Sequence, residues 1–163
     1  MKPISLEKTI LTAANNHSVT GKRLSIAVSG GPDSMAMAHA LIANQKEMDF
    51  DIEILHFNHQ IRGEDAKSDA RFVQTYFDSL GIPTFVSEKN VIKLSKQRRI
   101  SLETAARSAR YEFFANHINK KDNKSALVLG HNFEDQVETI SVSYTHLRAH
   151  ETDSYLVCRL LLE

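Results

Sequence analysis

Near the start of the chain, apolar residues recur at spacings that change from helix-like to strand-like and back. Residues 5–16 place four apolar side chains at helical spacing behind a serine that can cap a helix, which predicts a short leading helix. Residues 23–29 form a compact strand-like run that stops at two glycines, and residues 35–45 are rich in Ala, Met and Leu. The pattern therefore predicts a strand, a glycine turn and a helix, in that order.

The same order of strand and helix is repeated further along the chain. Residues 51–57 read as a strand, and residues 67–80 carry apolar side chains at helical spacing up to Gly81, which is a common helix stop. The later predicted elements are a strand at 83–87, a helix at 101–119 and a strand at 126–129. This alternation predicts an α/β fold with a doubly wound, mostly parallel sheet.

Composition limits the class of protein. A length of 163 residues with 42% apolar and 25% charged residues is typical of one soluble domain with a core. No apolar run approaches the roughly 20 residues that cross a bilayer, and the N-terminus lacks the apolar segment of a secretory signal, so we expect a cytoplasmic protein. Cys158 is the only cysteine, which excludes an internal disulfide and a cysteine-held zinc or iron–sulfur centre.

The charge of the chain leaves the partner open. The formal net charge is zero, so no bulk attraction to nucleic acid is expected. A local basic cluster nevertheless stands between the third predicted strand and the next predicted helix. Its members are Lys93, Lys96, Arg98 and Arg99.

A glycine-rich hexamer directly follows the first predicted strand. Its residues are Ser29, Gly30, Gly31, Pro32, Asp33 and Ser34. In doubly wound sheets, ligands bind beyond the carboxyl ends of the strands, and the N–H groups of a glycine turn and the positive end of a helix both stabilise a phosphate. We therefore expect this loop to bind a nucleotide, with hydroxyl donors from Ser29 and Ser34 and with Asp33 as a ligand of Mg²⁺.

An ordinary strand-to-helix turn is the alternative interpretation of the loop, because Gly, Pro and Asp are favoured in turns for local reasons. The two serines that bracket the turn make the hexamer more specific. It matches neither G-x-x-x-x-G-K-S/T nor G-x-G-x-x-G, and no lysine stands where a γ-phosphate would be held. Phosphoryl transfer and dinucleotide binding are therefore weaker interpretations.

Three further motifs follow the loop, at residues 56–62 (HFNHQIR), 101–111 (SLETAARSARY) and 130–139 (GHNFEDQVET). The hexamer resembles the pyrophosphate-binding loop of the PP-loop, or N-type, ATP pyrophosphatase superfamily, which cleaves ATP between the α and β phosphates. From about residue 24 to residue 139, the four motifs together resemble the tRNA(Ile)-lysidine synthetase family. The resemblance implies a Rossmann-like PP-loop ATPase fold. It also implies ATP- and Mg²⁺-dependent adenylation of the wobble cytidine of tRNA(Ile), followed by attack of free L-lysine to give lysidine, AMP and pyrophosphate.

Five residues are expected to bind substrate: His56, His59, Arg62, Arg110 and His131. The two histidines of the first motif lie at or just past a strand end, where side chains reach the ligand crevice. The arginine of that motif offers a bidentate fork to phosphate or carboxylate. A zinc pair is the alternative for the histidines, but no further ligand stands beside them.

Four residues are expected to act in catalysis: Asp33, Arg107, Asp135 and Glu138. Asp135 and Glu138 are three residues apart on a predicted helix, so both carboxylates face one way, toward Mg²⁺ or the ammonium of lysine. A carboxylate there can also help to remove the proton that the ammonium loses. Asp33 and Asp135 are the expected Mg²⁺ ligands. A solvated acidic helix start and, for Arg107, a solvated ion pair are the ordinary alternatives.

Two other functions stay open. NAD, GMP and asparagine synthetases share the loop, so another adenylating amide ligase is one alternative, and an ATP-binding module without catalysis is the second. Thiolation of tRNA is excluded, because it needs cysteines and residues 1–141 contain none. The sequence leaves the oligomeric state open, with a homodimer as one option.

The end of the chain is predicted to be foreign. From Val142 onward the residues resemble a translated sequencing adapter, so we expect residues 1–141 to be an incomplete N-terminal PP-loop ATP-binding domain and residues 142–163 to be a non-native tail. Activity is then expected of the full-length protein rather than of this piece. The alternative is a genuine amphipathic helix in which Leu156, Leu160 and Leu162 pack. Codons in the source DNA that differ from the adapter would contradict the prediction.

Overall fold

The computed structural model of the protein describes residues 23–47, 49–118, 125–129 and 155–156. In these ranges the strands are β1 (Arg23–Ala27), β2 (Asp51–Asn58), β3 (Thr84–Glu88), β4 (Ser125–Leu129) and β5 (Tyr155–Leu156). The helices are α1 (Pro32–Asn44), α2 (Glu64–Ser79), α3 (Val91–Arg98) and α4 (Leu102–Ile118). The predicted helix at residues 5–16 lies outside the described residues.

The strands form one sheet in the order β3-β2-β1-β4-β5, and every neighbouring pair is parallel. Strand β1 is flanked by β2 and β4, and Ile26 lies opposite Ile54 on one side and Val128 on the other. The order of strands therefore reverses beside β1. In open parallel sheets this reversal opens a crevice at the carboxyl ends of the strands, where ligands bind.

Helices cover both faces of the sheet. Helices α1 and α2 bury one face, where Met37 and Phe77 pack against Ile26 and Ile54. Helix α4 buries the other face, where Phe114 packs against Leu55. Strands that are buried on both sides read as continuous apolar runs, which explains why the sequence shows them clearly. The predicted doubly wound, parallel α/β fold is confirmed.

The observed elements differ from the predicted ones in two instructive places. Helix α1 begins at Pro32, three residues before the predicted start, because the fixed φ of proline suits the first helical turn. The second half of the predicted loop is therefore helical. Helix α3 was not predicted. It is short, and Asn90 caps it by accepting a hydrogen bond from the Lys93 N–H at 2.8 Å.

A polar trio lies inside the α4 face of the sheet. Ser25 and Glu53 are register partners on β1 and β2, and both are buried. The Ser25 hydroxyl donates to Glu53 Oε1 at 2.6 Å, and His117 Nε2 of α4 lies 2.9 Å from the same oxygen. The buried carboxylate therefore has the hydrogen-bonding partners that its desolvation requires.

No helix in the described ranges combines the length and the apolar character that a membrane span requires.

Candidate functional site

The predicted phosphate-binding loop, residues 29–34 and called the phosphate loop below, leaves the sheet at the carboxyl end of β1. Val28 still donates its N–H to the Leu55 carbonyl at 3.0 Å, as a strand residue would. Gly31 is the N-cap of α1, and the Met35 N–H bonds to its carbonyl at 3.1 Å. The first turn of a helix leaves main-chain N–H groups without a partner inside the helix, and at α1 this turn adjoins the loop, which is a favourable place for an anion.

The two serine hydroxyls hold the loop together. Ser34 Oγ accepts the Ser29 N–H at 3.2 Å and donates to the Gly31 carbonyl at 2.9 Å. Ser29 Oγ lies 3.1 Å from Ser34 Oγ and accepts the Gly31 N–H at 3.3 Å. Because the Ser34 proton goes to Gly31, Ser29 is the donor between the two hydroxyls. Both protons are thus used within the loop, and direct donation from these hydroxyls to phosphate stays a prediction.

The two glycines of the loop have different backbone conformations. Gly30 has a φ of +92°, and a Cβ there would lie 3.3 Å from Val73 Cγ2 of α2. Gly31 has a φ of −75°, which any residue can adopt. Gly30 is therefore the position at which the turn depends on glycine.

His56 supports the loop from the neighbouring strand. It lies within β2, is 4% exposed, and places Nδ1 2.9 Å from the Val28 carbonyl oxygen. A carbonyl only accepts, so Nδ1 carries the proton. Burial lowers the pKa of His56, against the opposing effect of this hydrogen bond, and favours the neutral ring. This contact lies beneath the loop rather than in the crevice, and contact of His56 with substrate stays a prediction.

His59 lies just past the end of β2 at the crevice, with its ring 4.9 Å from that of Phe57 in an edge-on arrangement. Burial lowers the pKa of His59, and the positive charge of Arg110 and the nearby His56 lower it further. Its neutral form is therefore favoured near pH 7. A neutral imidazole at the mouth of a crevice can accept a proton.

The crevice brings four of the predicted site residues together. Ser29, Ser34, His59 and Arg110 line it on its polar side. The remaining lining residues are apolar and come from β1, β2, β4 and α4; they are Ala27, Val28, Leu55, Phe57, Phe114 and Leu129. The crevice thus lies beyond the carboxyl ends of the strands beside β1, which is where the fold predicts a ligand.

Helix α4 contributes two arginines near this wall. The guanidinium carbons of Arg107 and Arg110 lie 5.7 and 5.6 Å from the centre of the Tyr111 ring, within the range of a cation–π contact. Phe114, one turn beyond Arg110, was missed; extending the helical spacing of the arginines by one turn would have found it.

Other predicted residues stand apart from the crevice lining. Arg62 lies on the loop after β2, where its Nη2 is 2.7 Å from Asp69 Oδ2, and its side chain is 69% exposed. Asp33 is exposed on the first turn of α1. Within the part of the chain that the structure describes, no three His, Cys, Asp or Glu side chains form a metal-binding group. The predicted residues His131, Asp135 and Glu138 lie outside the described residues.

The lowered histidine pKa values predict how stability depends on pH. Near and below pH 6.5 an unfolded chain binds protons at His56 and His59 that the native state does not bind. The free energy of unfolding should therefore fall as the pH is lowered from neutral through 6.5, the ordinary value of both groups. Urea unfolding at a series of pH values measures this. His56→Gln keeps an N–H donor but cannot titrate, so its free energy of unfolding should fall less on acidification than that of the parent chain. If the free energy of unfolding changed with pH by the same amount in both proteins, the prediction would be contradicted.

Several curated proteins are similar to this chain. The tRNA(Ile)-lysidine synthase of Clostridioides difficile (strain 630) is 40% identical over 135 residues, which cover 80% of this chain and 29% of that protein. Its counterpart from Clostridium tetani (strain Massachusetts / E88) is 39% identical over 74% of this chain and 26% of that protein. The Oceanobacillus iheyensis protein of the same name is 34% identical over 87% of this chain and 31% of its own length. The chain thus spans less than a third of these relatives.

A solved structure has a similar fold. The U34-tRNA thiolase NcsA from Methanococcus maripaludis with its 4Fe-4S cluster superposes with a TM-score of 0.66, at 15% identity, over 93% of this chain and 57% of that chain. At this identity the likeness concerns the fold alone.

A protein family described as a PP-loop domain matches residues 4–151. The predicted domain boundary at residue 141 falls inside this match and stays a prediction. The chain belongs to the PP-loop domain family.

Proposed function

We propose that this chain is the ATP-binding part of an enzyme that joins lysine to the wobble cytidine of an isoleucine tRNA. One observation carries the proposal: the phosphate loop, His59 and Arg110 come from three separate motifs of the sequence and meet at one crevice. The relatives named tRNA(Ile)-lysidine synthase support the choice of substrates. The alternatives with the same loop do not account for the order of the motifs.

The proposed reaction has two balanced steps. The carbonyl oxygen of cytidine attacks the α phosphorus of ATP, and pyrophosphate leaves with the electron pair of the broken P–O bond. The ε-amine of lysine then attacks the activated ring carbon, and AMP leaves as the C–O bond breaks. The amine loses one proton in this second step, so a base is needed beside it.

The phosphate loop is suited to hold the departing pyrophosphate. The turn at Gly30 and the start of α1 present main-chain N–H groups and the positive end of a helix dipole. Arg110 lines the same crevice and adds a positive charge to it. Together these groups would stabilise the charge that develops on the leaving group.

Asp33 is the described residue that fits a Mg²⁺ role. Mg²⁺ in nucleotide sites is usually held by one or two carboxylates together with phosphate oxygens, and it neutralises charge on the phosphates. Asp33 offers an exposed carboxylate on the first turn of α1, next to the loop. Asp135 is proposed as the second carboxylate, and Arg107 is proposed to contact ATP or tRNA.

Two groups are candidates for the base that accepts the proton from lysine. Glu138 is the first, as the sequence predicts. His59 is the second, because burial and Arg110 favour its neutral form and it lines the crevice. Comparing the rates of His59→Gln and Glu138→Gln as a function of pH separates them. Only the variant that lacks the base should lose the fall in rate that protonation of the base causes at acidic pH.

Release of pyrophosphate from ATP by the full-length protein tests the function. The expected result is release that requires isoleucine tRNA and that continues beyond one equivalent per enzyme only when lysine is present, because lysine attacks after pyrophosphate has left. Release with a carboxylic acid and ammonia or glutamine would establish an amide ligase instead. ATP binding with no release under any pairing of substrates would establish a nucleotide-binding module.

A further inference from the structure

The basic cluster on α3 has no part in the chemistry proposed above. Lys93, Lys96, Arg98 and Arg99 are all exposed. Among the described residues, Lys93, Lys96 and Arg99 form no ion pair with an acidic side chain. Surface cations are usually interspersed with acids, so four that stand together on one short helix and its cap form a positive surface.

This surface adjoins the crevice. The Val91 N–H at the start of α3 bonds to the His59 carbonyl at 3.3 Å, so the helix begins beside a crevice residue. At the other end of α3, Arg98 Nη1 lies 3.4 Å from Ser108 Oγ on α4. Helix α4 also carries Arg110 into the crevice. The cations of α3 therefore stand on a helix that contacts α4, and α4 in turn supplies the positive charge of Arg110 to the crevice.

The inner side of α3 is already used for packing. Val91 and Leu94 are 0% and 7% exposed and pack with Ala105 and Ala109 of α4. The cations lie on the outward side of the helix, where Ile92 is a large apolar side chain that is 39% exposed. Helices that lie on membranes need a broad free apolar face, which one exposed isoleucine does not provide. The surface is suited to a polyanion in water rather than to a bilayer.

Arg99 occupies a backbone conformation that disfavours arginine. It caps α3 with a φ of 55° and a ψ of 43°, where glycine is the usual residue. A side chain with a Cβ is strained there. Strained residues cluster where the side chain has a task, and here the side chain adds a fourth cation to the same surface.

We propose that the α3 surface, defined by Lys93, Lys96, Arg98 and Arg99, binds the phosphate backbone of the RNA whose reactive base enters the crevice. The inference rests on the proposed function for the identity of the RNA. Lysine and arginine contacts to phosphates fix the register of a nucleic acid without reading its sequence. Such contacts on α3 would hold the strand beside His59 and Arg110 while one base reaches the nucleotide.

Salt-dependent binding of an isoleucine tRNA transcript to the chain tests this surface. Lys93→Gln together with Lys96→Gln should weaken binding by about tenfold near 0.1 M salt, and should reduce the slope of log affinity against log salt by about 1 to 2. The matched control is Arg23→Gln with Lys46→Gln. It removes two exposed charges at the end of the sheet opposite the crevice, because Arg23 is the first residue of β1 and Lys46 follows the end of α1. It should leave the affinity within about twofold of the parent chain, because these charges do not reach the RNA.

Arg99→Gly separates a binding role from a structural one. Glycine relieves the strain at this cap, so the midpoint of urea unfolding should be at least as high as that of the parent chain. Affinity for the tRNA should nevertheless fall, with about one unit less salt slope. A lower unfolding midpoint together with unchanged affinity would assign Arg99 to the fold and overturn its place in the surface.

The outcomes distinguish the surface from the proposed function. Unchanged affinity in the α3 variants, or equal loss in the control, would overturn the surface and leave the ligase proposal standing. If the chain bound vesicles of phosphatidylcholine with phosphatidylglycerol but not tRNA, the surface would be a membrane contact and the RNA inference would fail. Absence of any tRNA binding would overturn the surface, while pyrophosphate release by the full-length protein would still decide the function.

Discussion

Replacing Gly30 by valine should lower the affinity of the chain for ATP by about 100-fold or more, which corresponds to roughly 2.7 kcal/mol. Gly30 has a φ of +92°, and a Cβ there meets Val73 Cγ2 at 3.3 Å. A β-branched residue at positive φ is strongly strained, so the loop has to adopt another conformation. The main-chain N–H groups of the turn and of the start of α1 then lose the arrangement from which they are proposed to bind phosphate. Calorimetric titration with ATP and Mg²⁺ measures the loss.

Gly81→Val is the matched control for this variant. Gly81 also has a positive φ, +73°, but no atom lies within 4 Å of a Cβ built there, and it follows α2 away from the loop. The control should lose stability in urea through backbone strain while its ATP affinity stays within about twofold of the parent. Full ATP affinity in Gly30→Val would show that the loop is not the phosphate site, and equal loss in both variants would show a global effect.

Replacing Arg110 by methionine should slow pyrophosphate release by the full-length protein by about 100-fold. Arg110 lines the crevice together with Ser29 and Ser34, so its charge is proposed to act on the pyrophosphate that leaves there. Removal of one preorganised electrostatic group from such a site commonly costs about 100- to 1,000-fold in rate. Methionine keeps the apolar length of the side chain, so the wall stays filled. Rates at saturating ATP, tRNA and lysine measure the effect.

A second measurement on the same variant reports charge rather than packing. Arg110 contributes to the lowered pKa of His59, so the His59 imidazole should titrate at higher pH in Arg110→Met when followed by NMR. Arg71→Met is the control, because Arg71 is an exposed arginine on α2 outside the crevice lining. An unchanged rate in Arg110→Met with an unchanged His59 titration would remove Arg110 from the site.

Much of the fold was predictable because its central strands β1 and β2 are buried on both faces. The apolar runs of β1 and β2 are visible without any knowledge of their partners. Helix α3 was not predicted because only Val91 and Leu94 of its eight residues are buried, and two apolar positions are too few to show a helical spacing. The start of α1 was wrong for a different reason, since Pro32 suits a turn and a first helical turn equally well.

The site was predictable as a set of motifs but not as a set of contacts. Sequence position put His56 and His59 in one motif, yet one hydrogen-bonds beneath the loop and the other lines the crevice. Only the register of β1 against β2 brings the Val28 carbonyl to the His56 ring. Glu53 drew no attention in the sequence, because its partner His117 is 64 residues away.

The pairing of Ser25 with Glu53 has a consequence for how the reactive groups come to be correctly spaced. Apolar alternation alone would tolerate β2 sliding by two residues along β1, a movement of about 6.6 Å, because every side chain would keep its face. A slide toward the carboxyl end of β1 would set Glu53 against Ala27 and take its carboxylate away from the Ser25 hydroxyl, and a buried acid that loses such a partner costs about 1–3 kcal/mol or more. The slipped sheet would also carry His59 away from the phosphate loop. A hydrogen bond inside the core, between Ser25 and Glu53, therefore helps to fix the strand register on which the geometry of the crevice depends.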